Sequence, residues 1–107
     1  VTELDEKTKA QLKEQHGDRI EQIDLDDDLF VVAKPPSEGE YERFTSMLLD
    51  DEQKPKAMKT LVLACVVYPP KDEFRALIKE RPALIGTIGK ELHAMAGAAK
   101  VVKRKKL

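Results

Sequence analysis

Apolar residues change their spacing along the chain, and each change marks a new element. Residues 1–16 are mostly polar, with Leu4 and Leu12 the only sizeable apolar side chains after Val1. Thr2 followed by Asp5 offers a loose helix start, and Gly17 a stop. Two leucines eight positions apart cannot make a full helical face, so residues 1–18 are predicted to form a peripheral helix. From Arg19 the pattern turns β-branched and aromatic: Ile20, Ile23 and Leu25, then Leu29-Phe30-Val31-Val32-Ala33, split by Asp26-Asp27-Asp28. This predicts a β-hairpin over residues 19–34. Pro35-Pro36 ends its second strand, because proline has no N–H to give the ladder.

Helical spacing then takes over. Ser37 and Glu40 form a capping-box pair, and Tyr41, Phe44 and Leu48 follow at steps of three and four, predicting a buried helical face. Asp50-Asp51-Glu52 closes that segment, and a new helix is predicted near Pro55. Its centre, Leu61-Val62-Leu63-Ala64-Cys65-Val66-Val67, could by itself be a buried strand. The spacing of Ala57, Met58, Leu61, Val62 and Cys65 favours a helix. Tyr68-Pro69-Pro70 breaks it, a short helix carries Phe74, Leu77 and Ile78, and a last one runs from Pro82 to Ala96. Ile85, Ile88, Leu92 and Met95 share a side of that last helix, and Gly97 stops it. The expected class is α+β: a small, mostly helical domain with an N-terminal helix and one β-hairpin followed by four short helices. Residues 19–97 form the domain, and 98–107 a mobile basic tail.

Composition narrows the classes. At 107 residues, 41% hydrophobic and 36% charged, the chain can bury one modest core. No 18-residue apolar run is present for a membrane span, and no secretory leader is expected. The single cysteine, Cys65, excludes an internal disulfide. Residues 1–60 hold 16 acids against nine bases, and residues 61–107 four acids against ten bases. Five of those ten are Lys100, Lys103, Arg104, Lys105 and Lys106, so the body is acidic and only the tail could seek phosphates.

Candidate chemistry is sparse. Asp24, Asp26 and Asp28 have the odd spacing of a calcium loop, but Leu29 stands where that loop needs glycine and Pro35 where it needs glutamate. They read as solvated turn residues. His16 and His93 have no nucleophile placed beside them in a local motif, and Cys65 sits in the apolar run, where burial makes a thiol inert. The expectation is a protein without enzymatic activity, cofactor or metal. Gly86-Thr87-Ile88-Gly89 resembles the GxxG loop of KH domains, which clamps a nucleic-acid backbone. Together with the basic tail it implies an alternative, a single-stranded nucleic-acid-binding module. Against it, Thr87 and Ile88 stand where KH loops usually carry a basic residue, and Ile88 also fits a continuous apolar stripe. The other reading is two glycines that let helices approach closely.

Three stretches taken together resemble one family. They are "LFVVAKPPSEGEYERF", "LVLACVVYPPKDEFRALIKERPALIGTIGKEL" and the ending "HAMAG". Over residues 19–97 this order is similar to the tail assembly chaperones of long-tailed bacteriophages. The resemblance implies a protein of the infected bacterial cytoplasm, absent from the mature virion. It would bind the helical tape measure protein and help recruit tail tube subunits. It also implies a frameshifted, C-terminally extended form, for which the Lys105-Lys106 codons would suit a slippery site. The family has no catalytic motif to carry across. The candidate partner-binding residues are therefore the helical stripes Tyr41, Phe44, Leu48 and Ile85, Ile88, Leu92, with self-association left open.

Overall fold

The structure, a computed structural model, describes residues 4–26, 28–97 and 103–107. Helix α1 (Glu6–His16) precedes strands β1 (Glu21–Asp26) and β2 (Leu29–Ala33), then helix α2 (Glu38–Leu48). A 3₁₀ turn (Lys54–Lys56) leads into α3 (Ala57–Cys65), strand β3 (Val66–Tyr68), α4 (Lys71–Glu80) and α5 (Leu84–Met95). Among the described residues these make a small α+β domain of five α-helices and one three-stranded antiparallel sheet.

Most boundaries have a local cause. The Asp5 carboxylate accepts the Thr8 N–H at 2.7 Å, and that bond holds its carboxyl below the ordinary range. Asp5 is thus the cap of α1, and Thr2 lies outside the described residues. Gly17 ends the helix at φ 90°, where a Cβ would be strained, and donates its N–H to the Lys13 carbonyl at 2.8 Å. The Ser37 hydroxyl accepts the Glu40 N–H at 3.1 Å while the Glu40 carboxylate accepts the Ser37 N–H at 2.9 Å, completing the predicted capping box of α2.

The hairpin pairs Ile23 with Val31 and Asp24 with Phe30, and a bulge between Asp24 and Asp26 shifts the register at its turn. The sheet has one more strand than the sequence predicts. The helix expected to run through Val67 stops at Cys65, and Val66–Tyr68 pairs antiparallel with β2. Two forces favour the change. A residue before proline avoids the helical region, which keeps Tyr68 extended ahead of Pro69. The β-branched Val66 and Val67 suit the ladder that the outer edge of β2 offers. Strand order is β1-β2-β3.

One face of the sheet carries Val31, Ala33 and Val66 into the core, where they meet Phe44 and Met47, Leu61, Val62 and Cys65, Phe74 and Ile78, and Leu84, Ile88 and Leu92. Helix α3 packs against both α2 and α5 at its centre. On the other sheet face Phe30 stacks on Tyr68 with ring centroids 5.9 Å apart. Peripheral α1 buries Leu12 alone among its residues, and Leu12 stands outside the main cluster. No described side chain that is polar or charged is buried in this core.

Candidate functional site

The predicted helical stripes turn out to be mostly core. Phe44, Ile88 and Leu92 are sealed inside, Tyr41 and Ile85 are half-buried, and Leu48 is exposed. The inward face of α2 is rotated from the expected one. It centres on Phe44 and Met47, with Glu40 half-buried on the same face, so Met47 takes the place expected for Leu48. Leu48 and the 88% exposed Leu49 fall instead at the end of the helix beside Asp50. These six candidates therefore do not form one accessible surface.

An open groove of about 960 Å³ lies elsewhere, between the β1–β2 turn and the end of α4. Leu25, Leu29 and Leu77 line it and pack against the core, while Asp24, Asp26, Asp28 and Arg81 line it and are exposed. Leucines thus form the inner wall and charges the rim. Arg81 donates to the Asp26 carboxylate at 2.8 Å, tying the hairpin to the C-cap of α4. The pair is exposed, so it contributes little stability. Asp24 accepts an amide N–H from Gln22 at 2.7 Å, a neutral donor that leaves its charge in place. Of the three aspartates expected at the turn only Asp28 lies there, since Asp24 and Asp26 belong to β1; all three are exposed, and no group of His, Cys, Asp or Glu among the described residues is arranged to hold a metal ion. Sequence reading missed the leucines as a unit because Leu77 lies some fifty positions from Leu25 and Leu29. The only local signal is that two leucines flank the acidic turn.

Two polar links brace the body. The Tyr41 hydroxyl meets His93 Nδ1 at 3.0 Å, and the imidazole lies edge-on to Phe44 with centroids 5.3 Å apart, joining α2 to α5. His16, by contrast, is exposed at the end of α1. The Lys34 ammonium bonds both Glu40 oxygens, at 3.0 and 2.9 Å. Burial would raise the Glu40 carboxyl, but the Ser37 N–H and the Lys34 ammonium outweigh it and hold the carboxyl below its ordinary range. Cys65 is fully buried, and burial pushes its thiol up to about 11. Such a thiol is a poor nucleophile at neutral pH.

Gly86-Thr87-Ile88-Gly89 is not a loop. It lies within α5, Ile88 is fully buried, and Thr87 faces solvent. The two glycines differ. A Cβ at Gly89 would collide with the Met58 thioether from α3, whereas one at Gly86 would meet open space. Gly86→Ala should therefore stabilise the domain by about 0.5–1 kcal/mol through helix propensity. A bulky side chain at Gly89, as in Gly89→Leu, should cost about 1–3 kcal/mol by displacing the Met58 side chain and overpacking the α3–α5 contact. Urea unfolding midpoints check both signs; equal shifts would mean that the α3–α5 approach is not tight. Of the basic tail, Lys100 lies outside the described residues, while Lys103, Arg104, Lys105 and Lys106 are exposed and carry no regular secondary structure.

Residues 9–105 match the family described as a domain of unknown function, DUF6848, and the chain belongs to that family. Its structure is similar to that of the uncharacterised protein RBSTP2171 from Bacillus stearothermophilus, with a TM-score of 0.75 and 27% identity. That similarity covers 91% of this chain and 99% of the other. Among curated proteins, none matches.

Proposed function

We propose that this DUF6848 protein is a non-enzymatic binding protein that holds a long helical partner, in the manner of the phage tail assembly chaperones its residues 19–97 resemble. The partner on this reading is the tape measure protein, with tail tube subunits recruited afterwards. It acts in the cytoplasm of an infected bacterium and leaves before the particle is complete. The observation that carries the reading is the leucine-walled groove between the β1–β2 turn and α4, open to solvent and charged along its rim. An open groove with an apolar wall suits a polypeptide segment better than a small molecule, which binds where most of its surface is enclosed.

Co-expression with a tape measure protein of a long-tailed phage is the direct experiment. The two should co-purify, and the partner should stay soluble only when this protein is present. A folded domain that leaves the partner insoluble and unbound would overturn the reading.

A further inference from the structure

We propose that the groove between the β1–β2 turn and α4 takes a cationic amphipathic segment of a partner polypeptide, with apolar side chains against Leu25, Leu29 and Leu77 and lysine or arginine side chains against Asp24 and Asp28. The inference rests on the binding reading above, but not on the partner being the tape measure protein. Three acids and one base line the groove, and that base, Arg81, is engaged with Asp26. Neither Asp24 nor Asp28 has an ion-pair partner among the described residues. The rim is therefore net negative around an apolar wall, a combination that attracts cations and repels phosphates.

The pattern continues along β1. A shallower depression of about 280 Å³ is lined by Ile23 and Met95 together with Glu21, Gln22, Asp24 and Glu91. Asp24 borders both hollows, and between them they are lined by all six residues of β1, Glu21 to Asp26. Five carboxylates, Glu21, Asp24, Asp26, Asp28 and Glu91, line the two hollows, against one lining cation, Arg81. A six-residue strand spans about 17 Å, which matches about three turns of an α-helix. That length sets the size of the docked segment. The apolar wall is braced from behind by the core, so docking requires little ordering of this protein's own side chains.

The test uses a labelled synthetic peptide of about three helical turns with leucines on one face and lysines flanking them, beside the same peptide with glutamates for lysines. Fluorescence anisotropy with the full chain should show the lysine peptide binding at least about tenfold more tightly, with an affinity that falls steeply as salt is raised. The double variant Asp24→Lys, Asp28→Lys changes two exposed positions, one on β1 and one at the turn, and should reverse the preference. The control Asp50→Lys, Asp51→Lys, at another exposed acidic site, should leave it unchanged. Circular dichroism confirms that each variant is folded. Equal binding of the two peptides, or a preference that survives reversal at 24 and 28 or is lost equally in the control, would overturn the proposal. Co-purification with the tape measure product separates the two ideas. If that product is retained without peptide discrimination, the groove assignment fails and the broader reading stands. If peptide discrimination at the groove appears without co-purification, the groove stands and the choice of partner fails.

Discussion

Replacing Ile88 with aspartate should unfold the domain, while Thr87→Asp one position earlier should leave it folded. Ile88 is fully buried among the core residues contributed by α3, α4 and α5, and Thr87 is exposed on the same helix. The substitution removes a branched side chain from a packed site and puts a carboxylate where no described polar side chain is buried to receive it. Lost apolar burial and cavity formation cost about 2–4 kcal/mol, and the desolvated acid adds several more. A domain of this size has a total stability of about 5–15 kcal/mol, so the variant should lose most or all of its cooperative melt. The exposed Thr87→Asp change should stay within about 0.5 kcal/mol. Thermal and urea unfolding followed by circular dichroism separate the two. An Ile88→Asp protein as stable as wild type would mean that residues 86–89 form an exposed loop, as a nucleic-acid clamp of KH type requires.

Cys65 carries the second large effect. With its thiol pushed up to about 11 from an ordinary 9.0, about one thiol in a thousand is ionised at pH 8 instead of about one in ten. Ionisation alone therefore slows its reaction with a disulfide reagent about a hundredfold, and complete burial slows it further. Labelling of the folded protein should follow the unfolding equilibrium, with added urea accelerating it. The sign of the pH effect follows from the raised value. The stabilising contribution is fully present below pH 9 and is lost as pH rises towards 11, because the unfolded chain releases the proton first. Between pH 8 and about pH 10.5, wild type should lose about 2 kcal/mol more stability than Cys65→Ala, in which the other titrating groups are unchanged. Parallel pH profiles for the two proteins, or rapid labelling without urea, would show that the thiol is accessible.

The boundaries that the sequence makes legible are those whose causes lie within one helical turn. Ser37 and Glu40 are three positions apart, so their reciprocal bonds can be read before any tertiary contact is known. The same holds for Gly17 and Gly97, both at positive φ just past helix ends, and for the prolines at 35, 36, 69 and 70. The hairpin is readable because β-branched runs flank an acidic turn. Strand β3 is not, because Leu61–Val67 is apolar at every position and carries no period of its own. Its helix-to-strand switch at Cys65 follows from the ladder edge of β2, more than thirty positions earlier in the chain.

By itself the sequence determined the class, the element order up to that switch, an acidic body with a basic tail, and a glycine pair inside an apolar stripe. These depend on local sterics, capping and overall charge, which need no knowledge of distant neighbours. Tertiary structure alone decided which apolar residues are sealed and which remain partly open. Leu48 reaches solvent while Met47 turns inward, because the position of α3 sets which side of the last turn of α2 is covered. Tyr41 finds His93 across 52 positions, and Leu77 joins Leu25 and Leu29 only when α4 packs beside the hairpin. A hydrophobic period records that a face is apolar but not what lies opposite it, and the groove exists only in that second piece of information.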